Sequence, residues 1–208
     1  KIKTEISDKS FFSTGNKYET KYLPSRLIYL YYSLINKEIK SEFKNSSQVI
    51  HLKNSGYIRF NSNNVTGLLD VGSVGPNYLP GHAHADTLSF ELSLFGQRLL
   101  VNSGTSEYGI TNARQYERST KAHNTVVFDN KNSSEVWNGF RVARRAYPID
   151  LKIEELENFV NISCAHDGYK RLDEKLIHRR NWQFSKNSLV IKDYIDGSFK
   201  SAYAYFNF

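Results

Sequence analysis

The sequence predicts a mainly β protein, a large antiparallel β-sandwich preceded by a short helical segment. From Gln48 onward, apolar and polar residues alternate in short runs separated by Asn, Gly and Ser clusters, which is the pattern of many half-buried strands joined by turns. Before that, Leu27, Leu30, Tyr31, Leu34, Ile35 and Ile39 fall at helical spacing between Pro24 and Phe43, so one side of an amphipathic helix is expected to be buried there.

Taken in order, Lys1 to Lys21 is mostly polar, with Phe11 and Phe12 as its main apolar anchors. It is expected to be loose or packed against something outside the chain. The helix starts near Ser25 and ends at Asn45, Ser46 and Ser47. The expected strands are Val49 to Leu52, Tyr57 to Phe60, Val65 to Val71, Thr87 to Leu94, Arg98 to Val101, Asn124 to Phe128, Phe140 to Ala146, Leu151 to Glu154, Phe159 to Ala165, Leu176 to Phe184, Leu189 to Tyr194 and Ala202 to Phe206. The chain therefore divides into a segment over 1–46 and a sandwich over 47–208 that is expected to be incomplete at its C-terminus. One helical island, Asn112 to Thr120, places Arg114 and Arg118 one turn apart on one face. Such a pair can meet a carboxylate or sulfate through paired N–H groups, or it can be an exposed face with local ion pairs through Glu117.

Length and charge bound the function. The 208 residues carry 28 Lys and Arg against 21 Asp and Glu, a basic balance that favours acidic partners. No phosphate loop, zinc finger or RNA-binding aromatic pattern supports nucleic acid. No apolar run approaches the ~20 residues that span a membrane. The single Cys164 excludes an internal disulfide, and its alternating context FVNISCA places it in packing. With no Met at position 1 and no leader sequence, the chain is expected to be a piece of a longer protein.

The stretch GHAHADTLSFELSLFGQRLLVNSG, Gly81 to Gly104, holds the chemistry. In an extended chain His82, His84 and Asp86 project to one side and Ala83 and Ala85 to the other. Gly96 supplies the turn of a hairpin whose second strand ends at Asn102, Ser103 and Gly104.

The pattern HAD.LSFEL...G..LLV.SGT..Y, followed by RST.AHNTV at Arg118 to Val126, AHDGY at Ala165 to Tyr169 and HRR at His178 to Arg180, resembles the heparinase II/III family of polysaccharide lyases. The resemblance covers roughly Tyr57 to Asp196. It implies an N-terminal α/α toroid joined to a C-terminal β-sandwich, with the helix before Phe43 either the end of the toroid or a connector. A helix that merely covers one sandwich face is the alternative. It implies β-elimination at a uronic acid of an acidic polysaccharide, with His82 as the active-site histidine, and a protein expected in the periplasm of a bacterium or outside the cell, with the cytoplasm as the alternative. Histidine suits proton transfer because its ordinary pKa lies near 6.5. The acid and the carboxylate neutraliser would come from the toroid. Tyr108, Asn124, Arg114 and Arg118 become candidate sugar contacts.

The same resemblance implies a structural Zn2+ held by His84, Asn102 and His123. The middle position departs from the family pattern, because VDSGT has become VNSGT, and a neutral amide oxygen binds Zn2+ more weakly than a carboxylate. If the hairpin turns at Gly96, Asn102 lies level with Phe90, six residues from His84, or ~20 Å along a straight strand. A shared metal then requires GHAHA to fold back as a loop, and Asp86 is the alternative ligand or the carboxylate that orients an imidazole. His51, His166 and His178 read as structural or surface residues, with His166 able to orient a loop. Two other functions stay open: a non-catalytic carbohydrate-binding or polysaccharide-assembly sandwich, and a cupin-like metal protein. The second is disfavoured because the nearest glutamate, Glu91, is seven residues past His84 and of opposite parity.

Overall fold

A computed structural model of the chain describes residues 2–8, 47–172, 175–186 and 188–208. Fourteen strands and one short helix occur among them: β1 (Ile2–Asp8), β2 (Ser47–Leu52), β3 (Tyr57–Ser62), β4 (Val65–Asp70), β5 (Phe90–Leu94), β6 (Gln97–Leu100), α1 (Asn112–Glu117), β7 (Val126–Phe128), β8 (Val136–Trp137), β9 (Arg141–Val142), β10 (Pro148–Glu155), β11 (Phe159–His166), β12 (Ile177–Ser185), β13 (Ser188–Asp196) and β14 (Ala202–Ala204). They form two five-stranded sheets, ordered β2-β3-β4-β5-β6 and β1-β13-β12-β11-β10, with β14 paired to β7 and β8 to β9. The predicted helix over 25–43 lies outside the described residues. Ile2–Asp8, expected to be loose, instead pairs in parallel with β13 in register from Ile2 opposite Leu189 to Asp8 opposite Ile195. Among the described residues no helix is long and apolar enough to cross a membrane.

The alternation read in the sequence becomes the sandwich core. Ile58, Phe60, Leu69, Phe90, Leu92 and Leu100 of one sheet bury against Val160, Ile162, Cys164, Trp182, Phe184 and Ile191 of the other, and Phe60 stacks on Phe184 with ring centroids 4.1 Å apart. Cys164 is buried as expected, and burial pushes its thiol up to about 12. The hairpin of β5 and β6 turns on Phe95 and Gly96, both at positive φ (53° and 77°) with Leu94 opposite Gln97, the two-residue geometry whose twist matches the strands.

Two strand assignments need correction. β5 begins at Phe90 rather than Thr87 because Leu88 adopts φ 63°, with its N–H on Asp70 O and the Ser89 N–H on Asp86 O, so the chain turns before it pairs. Phe140 to Ala146 supplies only the two residues of β9, whose partner is the unforeseen β8. Past Val142 the chain leaves the ladder, with the Ala143 N–H on Glu135 O and Arg145 drawn to the carbonyls of Val74 and Pro76.

A buried polar chain crosses the core behind the hairpin. Arg180, wholly buried, donates Nε to Asp193 Oδ1 at 2.7 Å and Nη2 to Oδ2 at 3.0 Å, and gives Nη1 to the carbonyls of Leu88 and Asn124. Asp193 also accepts from His178 Nε2 at 2.7 Å, His178 Nδ1 lies 3.2 Å from His166 Nε2, and His166 Nδ1 accepts the Gly168 N–H. The backbone donor at one end fixes each tautomer in turn: His166 donates from Nε2, His178 accepts at Nδ1 and donates from Nε2. Both histidines are held neutral, with burial lowering their proton affinity. Asp193 is ionised, its pKa near 2 because the attraction of Arg180 and the hydrogen bonds outweigh burial. Gly168 is required there, since a Cβ would lie 2.3 Å from Ser133 O.

Removing one partner of this ion pair leaves an uncompensated buried charge. Asp193→Asn should therefore lower the unfolding free energy by about 3 to 5 kcal/mol, measured by urea titration. A loss below about 1 kcal/mol, the scale of an exposed pair, would contradict the reading.

Candidate functional site

The loop from Gly81 to Thr87 does not extend as a strand; it folds back, and His82, His84, Asp86 and Asn102 all line one cavity of about 690 Å3. The hairpin register, Leu92 opposite Leu100, continues to place Asn102 level with Phe90, so it is this fold-back that brings His84 and Asn102 into one wall. Arg118 holds the loop. Its backbone carbonyl accepts from the Ala85 N–H, and its Nε donates to Ala83 O at 3.1 Å.

Arg118 is wholly buried, with Nη1 on Trp137 O and Nη2 on Arg141 O as well. The expected pair of sugar-facing arginines is therefore corrected at this member. Arg114 and Arg118 do share a face of α1, but that face points inward at the HAHAD loop. Arg114 is also buried, donating Nη1 to His84 Nε2 at 3.1 Å and to Thr105 Oγ1 at 3.0 Å, while its Nε and Nη2 have no partner. Tyr108 covers it, with the guanidinium 5.5 Å from the ring centroid. α1 is capped by Thr111, whose side chain accepts from the Arg114 N–H. Glu117 binds the Ser106 N–H and hydroxyl, and these bonds hold its carboxyl below the usual range.

Asn124 is corrected as well. It is buried, its Nδ2 donating to Phe90 O and Val101 O and its Oδ1 accepting from the Asn207 N–H, which makes it a cross-link among both hairpin strands and the C-terminal segment. Tyr108 does face solvent, 63% exposed. It meets His82 edge-on at 5.5 Å and stacks on Phe140 at 5.9 Å, and Phe140 meets His82 edge-on at 5.6 Å. Phe140, which the sequence offered only as a strand residue, thus completes an exposed shelf around His82.

The ligand atoms of His84, Asp86 and His123 all lie within 4.8 Å of one another, so these three could hold a metal ion. Asn102 instead uses Oδ1 to accept the Gly104 N–H at 2.9 Å. The fit to a cation rests on His123: it is wholly buried and neither ring nitrogen has a hydrogen-bond partner, an arrangement that costs free energy unless something takes a lone pair. Burial keeps both imidazoles neutral, as ligation requires, with His84 lowered to about 4 and His123 to about 3. Burial also pushes Asp86 up to about 7, and Asp70 well up, the latter further raised by Asp86. Those carboxyls lack a compensating positive charge, which a cation would supply. An ion bound through His84 Nε2 would displace Arg114 from that nitrogen. Among the described residues no glutamate joins the cluster, and Glu91 pairs with Arg98 at 2.8 Å, which sets aside the cupin pattern.

These shifts fix a pH dependence. His84, His123, His166 and His178 stay neutral in the fold, whereas unfolded histidines protonate near pH 6.5. Below that pH the unfolded chain takes up protons that the folded chain refuses, and stability falls. Asp70 and Asp86 act in the opposite sense, because the folded chain keeps protons that the unfolded chain has released. The four outnumber the two, so stability should fall from pH 7 to pH 5 by about 1.4 kcal/mol per pH unit for each unbalanced proton. Urea midpoints at several pH values check this, and stability that rises over the interval would overturn it.

Comparison with known proteins agrees with the fold. No curated protein matches the chain in sequence. Among solved structures it is similar to heparan sulfate lyase HepC from Pedobacter heparinus, at 22% identity and a TM-score of 0.51, covering 78% of this chain and 24% of that one. It is also similar to a heparinase III, at 20% identity and a TM-score of 0.53 over 67% and 21% of the two chains, and to the heparinase III-BT4657 gene product, at 24% identity and a TM-score of 0.54 over 81% and 25%. At these identities the likeness shows the fold, and the chain spans about a quarter or less of the length of those structures. The family model described as heparinase II/III-like, C-terminal, matches residues 44–207, and the chain therefore belongs to that family.

Proposed function

We propose that this chain contributes the histidine-bearing half of a polysaccharide lyase site acting on an acidic, uronate-containing polysaccharide. The observation that carries the reading is His82, exposed at the mouth of a cavity of about 690 Å3 and flanked by the exposed rings of Tyr108 and Phe140. Aromatic faces of this kind stack against the apolar C–H face of a sugar, which would hold a uronate beside the imidazole.

In the elimination, His82 takes the proton from C5, the C5–H electron pair becomes the C4–C5 double bond, and the C4–O4 bond breaks with its electrons leaving on O4. The proton for O4 and the neutraliser of the carboxylate come from an N-terminal domain of the parent protein. The rest of this chain positions. Arg118 pins the loop on both sides of His84, and Arg114 fixes that ring while adding positive potential beneath the cavity. His84, Asp86 and His123 would hold Zn2+, which supplies a fixed charge tying the HAHAD loop to the start of β7. Asp86 replaces Asn102 in that set because it joins both histidines and gives a charged oxygen. A second reading, a sandwich that binds carbohydrate without turnover, is favoured by the same aromatic shelf.

Two measurements separate these. In the parent protein His82→Ala should lower kcat by about a hundredfold or more, followed by the ultraviolet absorbance of the conjugated C4–C5 double bond, while oligouronate affinity changes little. Binding with no elimination by the wild type would establish the second reading. For the metal, added Zn2+ should raise the thermal midpoint of the wild type and of Asn102→Ala but not of Asp86→Asn. The opposite ranking would return Asn102 to the ligand set.

A further inference from the structure

Two shallow grooves lie side by side, the first linked to the cavity through Arg145. One, of about 580 Å3, is lined by Pro80, Arg145, Tyr147, Asp167 and Lys170 together with Arg144 and Arg171. The other, of about 560 Å3, takes in Arg144 and Arg171 again with Lys131, Glu135 and Trp137. The shared arginines make them one band, which carries five cationic side chains and two carboxylates among the described residues. Both carboxylates are engaged: Glu135 with Arg144 Nε at 2.9 Å, and Asp167 with the Tyr147 N–H at 2.8 Å.

Arg144 is neutralised by Glu135, whereas the guanidiniums of Arg145 and Arg171 are fixed rather than neutralised. Arg171 donates to the carbonyls of Asn132, Ser133 and Gly168. Arg145 donates to those of Val74, Gly75 and Pro76 and to Asn77 Oδ1 at 3.0 Å. A carbonyl orients a guanidinium without cancelling its charge. Two rings interleave with the cations: Tyr147, 42% exposed with Arg145 5.7 Å from its centroid, and Trp137, also 42% exposed. Because Val74 and Gly75, which Arg145 holds, also line the His82 cavity, band and cavity share a wall.

We propose that this band binds the anionic polysaccharide beyond the residues held at His82, its cations meeting successive carboxylates or sulfates and its rings meeting sugar faces. The proposal rests on the polysaccharide reading given above. A polymer that leaves the cavity past Pro80 meets Arg145 and Tyr147 and then Lys131 and Trp137, so affinity should grow with oligomer length and weaken with salt as charges along the band are screened.

The test is calorimetry on the 208-residue chain with a heparan sulfate dodecasaccharide, a tetrasaccharide of the same composition, and single-stranded DNA of charge matched to the dodecasaccharide. The double variant Lys131→Glu and Lys170→Glu changes two exposed lysines. It should weaken dodecasaccharide binding by about tenfold or more and flatten its salt dependence, while tetrasaccharide binding and the thermal midpoint stay as in the wild type. Unchanged dodecasaccharide affinity would overturn the band and leave the cavity reading intact. Equal losses for the tetrasaccharide and the dodecasaccharide would also overturn it, showing an effect of overall charge. DNA bound as tightly as the dodecasaccharide, and lost to the same variant, would replace the polysaccharide with polyanions in general. A wild type that binds no dodecasaccharide would remove the band, and the reading at His82 would then rest on the elimination assay alone.

Discussion

The arrangement depends on one buried ion pair, Arg180 with Asp193. Two charges removed from water are tolerated only when their remaining donors and acceptors are met. Here the demand is met by parts of the chain far apart in sequence. Arg180 reaches the carbonyl of Leu88, two residues past Asp86, and the carbonyl of Asn124, one residue past His123. The guanidinium is thus the common anchor of the two segments that carry the histidine and carboxylate cluster, and it fixes them to the sheet of β11, β12 and β13.

Around that anchor the site is built by side chains bonded to backbone. Arg118 caps carbonyls at Ala83, Trp137 and Arg141, and Asn124 joins Phe90, Val101 and Asn207. Such bonds locate a loop more firmly than its own turns do, because each removes a buried carbonyl or N–H that would otherwise be unsatisfied. The result is a cavity whose wall holds His84, Asp86 and Asn102 and whose rim, at His82, Tyr108 and Phe140, is left exposed. His123 is buried with neither ring nitrogen in a well-formed hydrogen bond, and Arg114 beside it keeps Nε and Nη2 unpaired. With Asp86 and His84 beside it, His123 forms a group of three side chains that could hold a metal ion.

Much of the fold was legible in the sequence. Alternation with period two found the strands of both sheets except β1, and Gly96 located the hairpin, because both signals are local and each is tied to backbone geometry. The HxHxD stretch stood out as a candidate site because imidazoles and a carboxylate so closely spaced are poor core residues, whereas the histidine after α1 was singled out only by the family resemblance. The strand at Ile2–Asp8 was not legible, since a short polar run becomes a strand only when an edge such as β13 is there to receive it.

The sequence by itself determined the β-sandwich, the hairpin and the set of residues from which a site could be made. Only the tertiary structure decided which of them face the cavity. Spacing put Arg114 and Arg118 on one face of α1 but could not say that the face points inward, because that depends on Ala83, 35 residues away. Spacing offered Asp86 beside His84, and the family resemblance offered Asn102. The fold brings Asp86 within reach of both His84 and His123 because the loop before β5 folds back, and Arg180 holds both segments, nearly forty residues apart, from the far sheet. A local period fixes which way a side chain points from its own strand; what it then meets is set by the packing of elements that the period does not encode.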